Sequence, residues 1–420
     1  MNENNSDNEI KYLPRWITSS VERALRDHPV VVITGARQVG KSTFLRHADP
    51  TRVWRYVSFD DFDLLGQAER DPKSVWAGLE QVVLDEVQKV PAVLSAVKQE
   101  VDKRRRRFQA VLSGSANLLL MQKVSESLAG RAVYFTLWPM ALGETVGHPA
   151  PEILSNLLAG RLPTEGEIQR KDEDPFRVIS RGLMPPLLEV SGEEAVTRWW
   201  EGYVGTYLER DLRQISQVAS LTDFKRVMQS VALRSGQLIH QSDLAREDGI
   251  SQPSVHRYIN LLETTCVVQR LPAFARNRTK RLIKSPKFYW VDAGLAAYLA
   301  GYFDVRSLSM AREWGGFMET LIFHHLRVLA QLMVPRPEIF YWRTTAGHEV
   351  DFVLEHGRWL VALEVKLSST PQYSDCEGLR LFLEEYPETR CAVLVHTGRE
   401  IRRLGERIIA LPWTLLCGMS

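Results

Sequence analysis

"PVVVITGARQVGKST", Pro29 to Thr43, decides the fold of the N-terminal part of this chain. An uninterrupted aliphatic run with no polar alternation suits a strand buried on both faces of a parallel sheet. The following octet, Gly35 to Ser42, satisfies GxxxxGK[ST] and leads into a helix-forming stretch, the context that gives the motif meaning. The expected phosphate cradle is the main chain of Gly35, Ala36, Arg37, Gln38, Val39, Gly40, Lys41, Ser42 and Thr43 at a helix N-terminus. Lys41 would reach the β- and γ-phosphates and Ser42 would hold magnesium, so ATP and Mg2+ are the expected cofactors.

Downstream, "QVVLDE" places Asp85 and Glu86 at the end of a second apolar run. Asp85 suits the magnesium shell, and Glu86 suits polarising the attacking water. A third run, "FQAVLSGSA", ends near Ser115 and Asn117, either of which could orient the water or the γ-phosphate; capping the next helix is the alternative. Arg131 in "SLAGRAVYF" is a candidate arginine finger for a neighbouring subunit's nucleotide or a structural partner of a carboxylate. Lys41, Asp85, Glu86, Ser115 and Arg131 form the expected catalytic set.

Working outward, 420 residues with 45% apolar content exceed what one core organises, so two or three domains are expected. The net charge of +2 means that affinity for nucleic acid must come from local patches. Cys266, Cys376, Cys391 and Cys417 show no CxxC pairing, which argues for reduced thiols and against a zinc site. The polar start "MNENNSDNEIK" and the lack of a run of roughly 20 apolar residues lead us to expect a cytoplasmic protein without a membrane partner.

The expected organisation is a tail and helix over 1–30, a P-loop ATPase domain over 31–160, a helical region over 176–300 and an α/β domain over 312–420. "GRLPTEGEIQRKDEDP" reads as the surface connection at the first boundary. In the second region, "QSDLAREDGISQPSVHRYINLLE" shows a short helix, a turn at Gly249 and a second helix capped by Ser251, a helix-turn-helix pattern. "CVVQRLPAF" and "KFYWVD" then read as the two strands of a wing.

The stretches "ITGARQVGKSTFL", "VVLDEVQKVP", "LSGSANLLLMQKVSESLAGRAVYF", "SPKFYWVDAGLAAYLAG" and "GHEVDFVLE" carry a resemblance. They resemble bacterial and archaeal AAA-type P-loop ATPases whose C-terminal half is a domain of unknown function. The resemblance implies an α/β fold class made of an AAA+ P-loop NTPase domain, a winged helix-turn-helix domain and a C-terminal restriction-endonuclease-like α/β domain. It also implies a homo-oligomer, a hexameric ring among its forms, in which Arg131 of one subunit completes the next site.

Between Cys266 and Trp290 there are seven Lys/Arg and no Asp or Glu. Arg276, Arg278, Lys280, Arg281 and Lys284 in this stretch, with Arg257 on the second helix, are the expected DNA-binding residues. At the C-terminal end, "EVDFVLEHGRWLVALEVK" suggests a hairpin with Asp351 standing 13 residues before Glu364. Endonuclease domains of the restriction type use an acidic residue on one strand, Glu-x-Lys on the next and a further Glu on a helix. Asp351, Glu364, Lys366 and Glu319 fit that pattern as a metal site. The leading reading is an AAA+ ATPase that couples ATP hydrolysis to binding and remodelling or translocation of DNA, branched DNA included. The alternatives are an ATP-gated, metal-dependent DNA nuclease of the defence type and a signalling ATPase whose C-terminal domains bind protein.

Overall fold

The computed structural model describes residues 12–104, 107–114, 128–167, 173–206 and 220–419. Its first sheet contains β1 (Val30–Thr34), β2 (Arg55–Ser58), β3 (Gln81–Asp85), β4 (Gln109–Ser113) and β5 (Ala132–Thr136). All five are parallel, in the order β2-β3-β4-β1-β5. Every residue of β1 is buried. Val31 and Ile33 face one hydrophobic cluster, and Val30 and Val32 face another on the opposite side of the sheet. That period of two is why the run had to be apolar throughout. Helix α1 (Thr18–Asp27) precedes β1, and α2 (Lys41–His47) follows it.

The second unit contains three packed helices with a glycine turn between the last two. Helices α3 (Leu221–Ala232), α4 (Gln241–Asp248) and α5 (Gln252–Thr264) pack together. Gly249 closes α4 in the left-handed conformation at φ 66°, and the Ser251 side chain caps α5. The two strand-like runs pair as an antiparallel hairpin, β7 (Val268–Leu271) with β8 (Lys287–Trp290). They are not joined by a simple basic turn, because a helix at Arg278–Ile283 lies between them.

The third sheet is mixed, in the order β6-β13-β14-β12-β11-β10-β9. Its strands are β6 (Gly166–Glu167), β9 (Glu338–Arg343), β10 (Glu349–His356), β11 (Trp359–Val365), β12 (Thr389–His396), β13 (Glu400–Arg403) and β14 (Ile408–Pro412). β10 and β11 form the expected hairpin, with Phe352 opposite Leu363 and His356 opposite Trp359. β6 comes from the stretch read as a surface connection, and it pairs with β13.

The units share a common core. One hydrophobic cluster runs from Trp16 through the helical unit to Cys417. Its axle is α6 (Trp314–Ala330), in which fourteen residues are buried. His325 on α6 accepts from the Leu142 backbone N–H at 2.9 Å, and Thr320 and Ser235 hydroxyls pair at 2.8 Å. Gly143 and Gly418 lie so close that a Cβ on Gly143 would stand 2.6 Å from the Gly418 carbonyl oxygen. The sequence could not reveal this, because the hydrogen-bonded partners lie 85 and 183 residues apart. All four cysteines are free, and among the described residues no helix is long and apolar enough to cross a membrane.

Candidate nucleotide site

The P-loop leaves β1 at Gly35 with φ 146°, and a Cβ there would lie 2.2 Å from the Leu137 carbonyl oxygen, so only glycine fits. Gln38 (φ 64°) and Gly40 (φ 89°) are left-handed, which folds the main chain into a concave loop before α2. Lys41 is buried, and its ammonium donates to the carbonyls of Gly35 at 3.1 Å and Ala36 at 2.9 Å. Burial pulls its pKa down, opposed by the carboxylates of Glu86 and Asp85.

Ser42 Oγ donates to Asp85 Oδ2 at 2.6 Å, so the two expected magnesium ligands already meet although β4 separates β3 from β1. A hydroxyl and a carboxylate are hard oxygen donors, the kind that magnesium takes. Tyr56 donates to the same Oδ2 at 2.5 Å, and its phenol is pushed up to about 12, first by burial and then by Asp85. Glu86 sits in the left-handed region at φ 58°, with its backbone N–H on Asp85 Oδ1 at 3.0 Å. Its carboxyl accepts from Gln88, and burial followed by Asp85 pushes its pKa up, which makes it a stronger base.

Arg15 is a contributor that sequence reasoning missed. It is 7% exposed and donates to Val39 O at 3.0 Å, Trp138 O at 2.6 Å and Pro139 O at 3.2 Å, and it pairs with Glu144 at 3.0 Å. It therefore fastens the P-loop to the segment after β5. Ser113, at the end of β4, is buried, and its hydroxyl has no partner among the described residues. Ser115 and Asn117 lie outside the described residues. A cavity of about 410 Å3 opens beside Gly40 and Thr43, walled by Tyr12 and Leu13 on one side and by Pro185, Pro186 and Leu188 on the other.

Residues 27–146 match the family model described as an AAA domain. The N-terminal unit is an AAA-type P-loop ATPase domain. Beyond this AAA domain, residues 172–306 and 314–416 match two models each described as a domain of unknown function, DUF8612 and DUF4143. The chain is 29% identical over 407 residues to uncharacterized proteins of Mycobacterium tuberculosis (Rv2008c) and Mycobacterium bovis (Mb2031c), covering 95% of this chain and 83% of each relative. Among solved structures it is similar to the Walker-type ATPase PABY2304 of Pyrococcus abyssi, at 14% identity and TM-score 0.43, over 67% of this chain and 94% of that one. It is also similar to the Thermotoga maritima RuvB Holliday junction branch migration motor, at 15% identity and TM-score 0.26, over 64% and 93%. The AAA assignment rests on the family model and the P-loop geometry.

Arg131 precedes β5 at the end of the sheet opposite the P-loop, since Ala132 pairs with Val30 at the start of β1. Five strand residues at about 3.3 Å each separate it from its own P-loop by roughly 16 Å. It pairs with Asp102 at 2.6 Å.

Much of the basic stretch is engaged within the protein. Arg281 is buried against Glu355 at 2.6 and 3.1 Å and covers the rings of Phe274 and Phe340, which corrects its placement among DNA-facing residues. Arg276 pairs with Glu388 at 3.1 Å, and Arg270 with Glu263 at 2.7 Å. Arg257, Arg278 and Lys284 are exposed, and of Lys280 only the helical backbone is described.

The C-terminal carboxylates are also arranged differently from the expected metal site. Lys287 of β8, 3% exposed, places its ammonium 3.3 Å from Glu319 and 3.3 Å from Asp351, and it also pairs with Glu349. Tyr289 donates to Glu319 at 2.9 Å, and burial followed by Asp351 pushes the Glu319 carboxyl up. Asp351 and Glu364 are cross-strand neighbours by register, and the Val365 N–H donates to Asp351 at 2.8 Å. Glu364 pairs instead with Lys366 at 2.6 Å. Among the described residues no group of three or more His, Cys, Asp or Glu is arranged to hold a metal ion. The physical reason is that a tethered ammonium from the helical unit compensates the acids that were expected to need a divalent cation.

Proposed function

We propose that this chain is an ATP-driven switch acting on DNA, in which nucleotide bound at the P-loop sets the position of the three-helix unit. The observation that carries the reading is the cavity beside Gly40 and Thr43, whose far wall, Pro185, Pro186 and Leu188, lies in the second unit. A base lodged there would be held by both units at once. From that wall, Leu183 N–H donates to the buried Asp292 carboxylate at 2.7 Å, and Asp292 follows β8 of the hairpin. A hydrogen bond thus ties the segment that forms this wall to the residue that follows the hairpin.

Hydrolysis would divide the work among residues already in place. Lys41 transfers its ammonium from loop carbonyls to the β/γ-phosphates, and Glu86 takes the proton of the attacking water as the bond to the γ-phosphorus forms. ADP carries away the electrons of the cleaved P–O bond. Ser42 and Asp85 would hold magnesium, which would supply charge neutralisation when bound. Arg131, remote from its own P-loop, would act only across an interface between copies, in a ring or a smaller assembly.

The DNA contact would be made by Arg257, Arg278 and Lys284, with the polar face of α5 reading shape more than sequence. The internal pairing of Arg270, Arg276, Arg281 and Lys287 favours a second reading, a signalling ATPase whose C-terminal units bind protein. Cleavage of DNA is not part of the proposal, because Lys287 fills the acidic cluster. ATPase rates with duplex, single-stranded and four-way-junction DNA, with product length followed on the same samples, test the reading. Stimulation that disappears in Arg257→Glu/Arg278→Glu supports it; turnover indifferent to every DNA refutes it in favour of the protein-binding reading.

A further inference from the structure

A second cavity, about 470 Å3, shares no lining residue with the nucleotide cavity. One wall comes from β7, the opposite wall from the start of β9, and α6 contributes Phe323 and Arg327. Arg327 is 2% exposed, yet among the described residues Nε, Nη1 and Nη2 have no hydrogen-bond partner. Its guanidinium is sandwiched by aromatic faces, 4.2 Å from the Trp138 ring centroid and 4.7 Å from that of Phe323. Such faces attract a cation but satisfy none of its in-plane N–H groups. Trp138 Nε1 and His324 Nδ1, on the residues around it, are also buried without partners among the described residues.

The charges around Arg327 do not compensate it. Burial lowers its pKa to about 9, and the next contribution is the like charge of Arg336, which lines the same cavity. The Cys266 thiol also faces it, but burial pushes that thiol up to about 11, which leaves it neutral. Glu338 is the single carboxylate of the lining; it is exposed, and among the described residues no ion pair joins it to either arginine. A buried guanidinium without hydrogen bonds is among the most costly arrangements a fold can hold, and a bound anion would resolve it.

We propose that this cavity binds a small phosphate-bearing molecule, with its oxyanion between Arg327 and Arg336. Arg327 alone carries five N–H donors and Arg336 adds its own, which matches a tetrahedral oxyanion with several acceptor oxygens better than a two-oxygen carboxylate. The cavity exceeds a bare phosphate, and Leu271, Phe323 and Phe340 give it apolar walls for an attached organic group. A rigid duplex cannot bring its backbone to a guanidinium that is 2% exposed, so the occupant is a free molecule.

The test uses the full-length Lys41→Ala protein, so that the P-loop does not compete, titrated calorimetrically with inorganic phosphate and with phenyl phosphate. Saturable binding of one phenyl phosphate per chain, tighter than inorganic phosphate, is expected. Adding Arg336→Gln should weaken it by about tenfold, the effect of losing one charged hydrogen-bonding partner. Adding Arg327→Met should abolish it while raising the melting temperature of the ligand-free protein, because an uncompensated buried charge is gone. Failure of both probes to bind, or binding unchanged by both substitutions, overturns the site. Inorganic phosphate binding with phenyl phosphate excluded overturns the organic part of the ligand.

Discussion

Replacing Arg15 by Met removes a guanidinium that holds four partners: Glu144 at 3.0 Å and the carbonyls of Val39, Trp138 and Pro139 at 3.0, 2.6 and 3.2 Å. The ion pair is buried, with side-chain exposures of 6% and 2%. Breaking such a pair from one side costs about 3–5 kcal/mol, because the remaining charge is left in a low dielectric. Glu144 keeps two backbone donors, Trp16 N–H at 2.6 Å and Ala141 N–H at 2.9 Å, which places the expected loss near the lower end, about 3 kcal/mol. Equilibrium urea unfolding followed by tryptophan fluorescence reads this loss. Adding Glu144→Gln removes the stranded charge and should recover about 1–2 kcal/mol. ATP affinity should fall as well, by about tenfold, since the Val39 carbonyl is released from its anchor and the P-loop loses its fixed shape. A loss below about 1 kcal/mol, or a double variant no more stable than the single, would refute the claim that this pair fastens the P-loop.

Lys41→Ala should abolish ATP binding, whereas Glu86→Gln should bind ATP and fail to turn it over, as equilibrium binding and phosphate release would show; normal turnover in Glu86→Gln removes that residue from the chemistry. Lys287→Met leaves Glu319, Glu349 and Asp351 without their shared cation and should cost about 3 kcal/mol or more, with part restored by Asp351→Asn; an unaltered urea midpoint would show that the cluster needs no ammonium. Glu364 is 9% exposed, and its carboxyl is pushed up to about 7 by burial, against the favourable bond to Lys366. Its unfolded form ionises first as pH rises from about 4.5, so the wild type should lose stability between about pH 4.5 and 7 and level off above, by about 3 kcal/mol at most. Glu364→Gln should therefore gain on the wild type through that window, and a pH-independent difference between the two melting curves would contradict the assignment.

What the sequence determined by itself is what local pattern and backbone chemistry encode. The aliphatic run Val30–Ile33, the spacing from Gly35 to Ser42 and the Asp85–Glu86 pair at a strand end were legible, because a phosphate-binding turn needs those residue types at fixed offsets. The Gly249 turn, the Ser251 cap and the β10–β11 hairpin were legible for the same reason. What only the tertiary structure decided is how charges and units pair across long separations. Arg15 and Glu144 lie 129 residues apart, and Arg281 and Glu355 lie 74 apart. Lys287 was legible as one basic residue among seven, but not as the cation that closes an acidic cluster 32 to 64 residues away. A sequence shows how much charge a stretch carries; whether that charge faces solvent or a buried carboxylate is set by which surfaces the hydrophobic core brings together.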